Sequence, residues 1–249
     1  MKNNTSDTLR VQHLVQHIIC AFLHFLVDGL CLCCLYLLIT PTSTTGLIGI
    51  FITYNVLAFL TQPLTGHWVD QMKHKQRMLI TSIFFLILAV LATSFTIATG
   101  SKDVSLASMT LIAVLLGLGN SFFHVWGGKQ VATTSANDMR ALGLFVSTGA
   151  MGLAVSMVFY SWTLLYVYLL SICILSLFTM RDTPEVPGSP STLFSKIHWK
   201  STTTATVVAL VLLFAFVMFR SFIGEAFSSG ITKNNSTILL LGGICKFGK

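Results

Sequence analysis

The chain contains five long stretches without a charged side chain, at residues 29–69, 78–101, 104–128, 141–180 and 201–219. A helix needs about 20 apolar residues to cross the roughly 30 Å hydrocarbon core of a bilayer, so the two stretches of about 40 residues each hold two spans. Only 9% of the residues are charged, whereas a soluble domain carries about a quarter. The sequence therefore predicts a membrane protein with seven full crossings, and the apolar tail at 236–245 begins a partial eighth.

We expect these crossings to be helices, because every backbone amide in lipid must find a partner within its own segment. The alternation with a period of two residues that is typical of an outer-membrane barrel is absent from the apolar runs. The predicted fold is an all-α polytopic membrane protein. Its full spans are Leu14–Ile39, Thr45–Leu64, Met78–Ala98, Ser105–Gly127, Ala141–Tyr160, Trp162–Met180 and Thr204–Gly224.

Basic residues lie before span one and between spans two and three, four and five, and six and seven. By the positive-inside rule these segments, including the N-terminus, are cytoplasmic. The formal net charge of +7 is spread over several loops, which argues against a nucleic-acid partner. The sequence has no phosphate-binding glycine loop, which argues against an ATP-driven pump. We expect no enzymatic activity and no cofactor.

Residues 181–203 separate two groups of spans. The first 20 of them hold three of the five prolines and five charges, a composition typical of a linker. We therefore expect a six-helix unit over residues 1–180, a cytoplasmic linker over 181–203 and the beginning of a second unit over 204–249. This layout is typical of a secondary transporter built from two halves.

Span one carries the polar residues His13, His17, His24 and Asp28, whose spacing places them on one helix face. His24 and Asp28 fall near the middle of the membrane, where an ionisable group is costly unless it faces a cavity or a partner. Imidazole titrates near neutral pH, so we predict that this pair lines a central cavity and takes part in proton coupling or substrate contact. The alternative is a hydrogen-bonded pair that only joins helices. We predict no metal site.

Span four ends in a second polar face. Asn120 and His124 are one helical turn apart on it, and we place them with His24 and Asp28 in the substrate or proton pathway. Lys129 follows at the end of the span, where we expect its side chain to extend to the membrane interface.

The segment QPLTGHWVDQMKHKQRM at residues 62–78 follows span two. Its residues Gly66, Asp70 and Lys75 match the pattern Gly-x-Leu-x-Asp-Arg-x-Gly-Arg-Arg of the major facilitator superfamily, although Trp68 and Gln71 depart from it. The resemblance implies a loop at the cytoplasmic gate. Gly66 would let helices approach closely, and Asp70 would cap a helix N-terminus or pair with cations. A plain basic loop is the alternative.

Span five contains glycines that we expect to allow close helix packing, namely Gly143, Gly149 and Gly152. With the polar residues of spans one and four, this pattern resembles the fosmidomycin-resistance-type branch of the major facilitator superfamily, over about 150 residues from span one to span five. The resemblance implies a six-helix N-terminal half and the start of the second half of such a transporter.

The same resemblance implies an efflux permease of the bacterial inner membrane that exchanges a small molecule or drug for protons by alternating access. Its partners would be a small-molecule substrate, protons and the lipid bilayer. Two alternatives from other classes remain open. One is a membrane thiol–disulfide oxidoreductase that uses the C-x-x-C pair Cys31 and Cys34, and the other is a membrane subunit that transports nothing.

A complete transporter of this layout needs twelve spans and about 400 residues. The chain has 249 residues and ends within the predicted eighth span. We therefore expect a fragment or a truncated reading frame.

Overall fold

A computed structural model describes residues 3–39, 44–72, 75–99, 105–135 and 139–182, together with the single positions 208, 211 and 215. The predicted span seven and partial span eight lie outside these ranges, apart from those single positions. Within them the chain forms helices and no strands, which confirms the predicted all-helical fold. The α-helices are α1 (Asn3–Ile39), α2 (Thr44–Asn55), α3 (Gln62–Gln71), α4 (Gln76–Ala98), α5 (Leu106–Thr134), α6 (Met139–Phe159) and α7 (Trp162–Asp182).

Five of the described helices are long and apolar enough to cross a membrane. They correspond to the predicted spans one, three, four, five and six. By the length and composition of these helices, the chain is a helical membrane protein. The five segments are Val11–Leu38, Gln76–Ala98, Leu106–Thr134, Met139–Phe159 and Trp162–Thr179.

The predicted second span, Thr45–Leu64, is helical but is divided into three segments. The helix α2 ends at Asn55, a π-helical turn covers Val56–Leu60, and α3 begins at Gln62 with Pro63 in its first turn. Proline has no N–H, and its ring clashes with the carbonyl four residues earlier in a continuous α-helix. The wider π turn before the proline accommodates both effects and interrupts the α-helical hydrogen bonds at this point.

Polar side chains satisfy the backbone at this irregular turn. Asn55, Thr61 and Gln62 each donate a hydrogen bond to the carbonyl four residues earlier, at 2.8, 2.5 and 2.9 Å. A non-helical backbone in the membrane is tolerated only where its polar groups find partners. These three side chains therefore supply hydrogen-bond partners to backbone carbonyls that lipid could not pair.

Helix α1 packs against α4, α5, α6 and α7, and its largest contact is with α6. Apolar residues in the C-terminal half of α1 are fully buried, including Leu23, Leu30 and Leu35, whereas Val11 and Leu14 nearer its N-terminus are exposed. A helix segment that is apolar and buried all round belongs in the interior of a bundle. The chain divides into the units Met1–Glu185 and Val186–Lys249, and all seven helices belong to the first.

Small residues on one face of α6 bring it close to α1. A Cβ atom at Gly152 would overlap the carbonyl of Phe25. On the same face, the hydroxyls of Thr148 and Ser156 donate to α1 carbonyls, those of Ala21 and Gly29, at 2.7 and 2.8 Å. The predicted packing role is confirmed for this part of α6, because small side chains and interhelical hydrogen bonds are what hold membrane helices together.

The predicted packing role of Gly143 is wrong for the described part of the chain. This residue is exposed, and no atom lies within 4 Å of the position that its Cβ would occupy. Gly143 and Gly152 are nine residues apart, which is two and a half turns, so they point to opposite sides of α6. The rotation of α6 about its own axis turns Gly152 toward α1 and Gly143 away from it.

This difference predicts opposite effects of the same substitution. Gly152→Ala should destabilise the fold by about 1–3 kcal/mol, because its methyl group cannot fit against the α1 backbone. Gly143→Ala is the matched control and should leave stability unchanged or slightly higher, since alanine favours a helix. Unfolding with sodium dodecyl sulfate, followed by circular dichroism, measures both. Equal effects of the two substitutions would contradict the packing described here.

Candidate functional site

The carboxylate of Asp28 lies buried between two imidazoles. His24, one turn earlier on α1, places its Nε2 atom 3.1 Å from Asp28 Oδ2. His124 of α5 places its Nε2 atom 3.0 Å from Asp28 Oδ1. His24 and Asp28 are only 3% and 6% exposed. Each carboxylate oxygen therefore faces one ring nitrogen, which gives a buried charge the partners that it needs.

The two imidazoles also contact each other. Their Nε2 atoms are 3.0 Å apart, and the rings are nearly perpendicular with centroids 4.4 Å apart. The other nitrogen of His24, Nδ1, lies 2.5 Å from the backbone carbonyl of Phe145. Because a carbonyl only accepts, Nδ1 carries a proton, and in the neutral ring the lone pair is on Nε2. We call His24, Asp28 and His124 the buried triad.

Helix α6 forms one wall of the buried triad. The ring of Phe145 stacks on His24, with centroids 4.2 Å apart. A Cβ at Gly149 would lie 2.5 Å from His24 Nε2 and 2.6 Å from Asp28 Oδ2. The absence of a side chain at Gly149 thus lets α6 pack directly against the polar atoms of the site.

Asn120 belongs to a neighbouring polar contact and not to the triad. It lies one turn before His124 on α5, fully buried, and its Nδ2 donates to the hydroxyl of Tyr54 on α2 at 2.7 Å. Among the described residues, Asn120 Oδ1 has no hydrogen-bond partner. The predicted pathway residues thus form the triad and a second polar contact beside it.

Tyr54 is a residue that the sequence reasoning missed. A tyrosine in a charge-free stretch is typical of an apolar core, and its position gives no sign of a polar partner. The signal that was available is the amide of Asn120, because a buried amide requires hydrogen-bond partners. That requirement indicates a polar neighbour but does not identify it.

Gly66 and Asp70 lie in the helix α3, where a loop was expected, and Lys75 directly precedes α4. Asp70 lies in the last turn of α3, and the residue at the N-cap of α4 is Lys75, so the prediction that Asp70 caps a helix is wrong. No atom lies within 4 Å of a Cβ at Gly66, so the predicted close packing there is wrong for the described residues. Asp70 does pair with a cation, because its Oδ1 contacts the ammonium of Lys129 on α5.

Lys129 was expected to extend to the interface alone. The structure instead pairs it with Asp70, because α5 continues past its glycines to Thr134 and carries the lysine alongside α3. No proline directly follows residue 128, and this was the sequence signal that the helix could continue past its glycines. Nearby, partial burial lowers the pKa of Lys75, and the positive charge of Lys129 lowers it further, whereas Asp70 acts in the opposite direction.

The other two histidines of α1 lie away from the triad. His13 is exposed, and His17 Nε2 lies 2.8 Å from the hydroxyl of Thr134 on α5. The four polar residues that share one face in sequence therefore divide into two that reach the site and two nearer the N-terminus of α1.

The C-x-x-C pair is enclosed by the bundle. Cys31 and Cys34 are both fully buried thiols, and Cys34 Sγ lies 2.9 Å from the hydroxyl of Thr93 on α4. Thiol–disulfide exchange requires a second sulfur to approach the attacking thiolate. The described residues leave neither sulfur exposed, so the site geometry gives no support to the oxidoreductase alternative.

The two ion pairs on α5 predict different stability effects. His124→Ala should destabilise the fold by about 3 kcal/mol or more, because it leaves the buried Asp28 with one partner fewer. Lys129→Ala removes a partly exposed pair on the same helix and should cost about 1 kcal/mol or less. Unfolding with sodium dodecyl sulfate compares the two variants, and a Lys129 effect as large as the His124 effect would contradict this description.

Comparisons with protein families, with curated proteins and with solved structures found no match to this chain. The resemblance to the major facilitator superfamily therefore stays a prediction, and the function is argued from the site itself.

Proposed function

We propose that the chain is a secondary active transporter of the major facilitator type, which exports a small molecule in exchange for protons by alternating access. The observation that carries this proposal is the buried triad, a carboxylate held between imidazoles from two different membrane helices. Ionisable residues inside a membrane are expensive to retain, and they mark substrate and ion pathways. In this proposal His24, Asp28 and His124 form the central site.

The two contacts of Asp28 differ in what they connect. The contact with His24 lies within α1, whereas the contact with His124 joins α1 to α5. A proton or substrate that binds Asp28 in place of His124 therefore changes the free energy of the α1–α5 contact. Binding that favours one helix arrangement over another is the requirement for coupling a site to a conformational change.

The pair of Asp70 and Lys129 fits a gate in the same proposal. It joins α3 to α5 near the ends of both helices, and more than half of the Asp70 side chain is exposed. Exposed ion pairs contribute little net stability, so such a contact opens and closes at small cost. With the N-terminus in the cytoplasm, as the basic loops predict, this gate faces the cytoplasm of a bacterial inner membrane.

Asp28→Asn tests the proposal, because it keeps the shape of the side chain and removes its charge. In proteoliposomes with an imposed proton gradient, we expect the variant to lose about tenfold or more of the proton-linked transport of a phosphonate drug such as fosmidomycin. A pH-sensitive dye inside the vesicles measures proton movement. His13→Gln is the matched control, an exposed histidine change on the same helix, and should transport as the unaltered protein does.

Two outcomes contradict different parts of the proposal. Unchanged proton-linked transport in Asp28→Asn would remove the triad from the pathway. Absence of any gradient-driven transport in the unaltered protein, across a panel of small anions and cations, would favour the membrane subunit that transports nothing.

A further inference from the structure

We infer that the buried triad of His24, Asp28 and His124 binds a divalent transition-metal ion of the Zn²⁺ class. The binding itself stands on the geometry of the site. The role of the ion as a transported solute, by contrast, rests on the proposed function.

The donor set fits this class of ion. Two imidazole nitrogens and one carboxylate are ligands that Zn²⁺, Ni²⁺, Co²⁺ and Fe²⁺ accept, and the three groups lie close enough to hold one ion. Their atoms are 3.0, 3.0 and 3.1 Å apart. In a tetrahedral zinc site with bonds of about 2.0–2.1 Å, ligand atoms are roughly 3.3 Å apart. A small outward movement of the side chains is therefore sufficient.

The surroundings of His24 are those of a metal ligand. Its Nδ1–H donates to the Phe145 carbonyl, which fixes the ring and directs the Nε2 lone pair at the other two groups. Metal-binding histidines in proteins are oriented by such a hydrogen bond from their second nitrogen. Gly149 packs directly against Nε2 and Asp28 Oδ2, so no side chain at this position covers the two ligand atoms.

The protonated ring of His24 can donate from Nε2 to Asp28 Oδ2, so a metal ion would compete with this hydrogen bond for the neutral ring. In the neutral ring, His24 Nε2 has no proton and faces both a carboxylate oxygen and a second ring nitrogen within 3.1 Å. His124 can donate one proton, which serves only one of its two neighbours at full strength. One metal cation between the three groups would accept an electron pair from each of them at the same time.

The number of ligands fits an ion with one open coordination position. Structural zinc sites are closed by four protein ligands, whereas sites that bind and release a further ligand have three and keep a position open. The described residues supply three. Mg²⁺ and Ca²⁺ prefer six or more oxygen ligands, so two nitrogens and one carboxylate disfavour both.

The first experiment uses the purified protein in detergent after removal of any affinity tag. Calorimetric titration with Zn²⁺ should give one ion per chain, and a hundredfold excess of Mg²⁺ should not displace it. Titration with Co²⁺ should give a visible absorption band of the intensity that low-coordinate cobalt produces. If the unaltered protein binds neither ion stoichiometrically, the inference is wrong, and this result does not depend on any variant folding.

Variants then locate the ion. Asp28→Asn and His124→Gln should each weaken Zn²⁺ binding by about tenfold or more. The control His13→Gln should bind as the unaltered protein does, and circular dichroism verifies that each variant is folded. Stoichiometric binding that is undiminished in both triad variants would place the ion elsewhere and overturn the inference.

A vesicle experiment separates this inference from the proposed function. Proton-driven transport of a small molecule by a protein that does not bind Zn²⁺ would overturn the metal site alone. Binding of Zn²⁺ in detergent, with no gradient-driven movement of radioactive zinc in proteoliposomes, would overturn the role of the ion as cargo and leave the binding site. Zinc movement that Asp28→Asn abolishes supports both.

Discussion

The free-energy cost of keeping the Asp28 carboxylate away from water governs the arrangement of the helices around it. In a medium of low dielectric constant, a charge persists only where donors and opposite charges replace its hydration. His24 supplies one partner from the same helix, and His124 supplies the other from α5. The second contact requires α5 to present one particular face to α1. The carboxylate thus fixes the rotation of two helices whose other contacts are mostly apolar and allow sliding.

The backbone imposes the second constraint, because each N–H and C=O group in lipid needs a partner. Regular helices satisfy it internally. At the π turn Val56–Leu60, polar side chains bond carbonyls that the interrupted α-helical pattern releases. Between α1 and α6, hydroxyls of Thr148 and Ser156 add bonds to carbonyls that already belong to a helix. Such bonds hold the two helices at close range without apolar burial as the driving force.

Properties carried by single segments could be read from the sequence. Charge-free stretches predict apolar helices, and the spacing of His24 and Asp28 predicts their contact because four residues make about one turn. Contacts between segments depend on how each helix is rotated about its axis, and the residue pattern within one segment does not reveal that rotation. Gly143 and Gly149 occur in similar surroundings, yet only Gly149 faces α1. Tyr54 acquires its partner only once α2 lies beside α5, and Lys129 acquires its partner only once α3 lies beside α5.

The π turn before Pro63 has a consequence for the alignment of everything that follows it in α3. A π turn holds one residue more than an α-helical turn, and one residue corresponds to about 100° of rotation and 1.5 Å of rise. The π turn takes up its extra residue within the turn itself, so deleting one residue between 56 and 60 would leave a regular α-helical turn and about the same face of α3 toward α5. The contact of Asp70 with Lys129 should therefore tolerate a deletion here that, inside a regular α-helix, would rotate the following residues by about 100°.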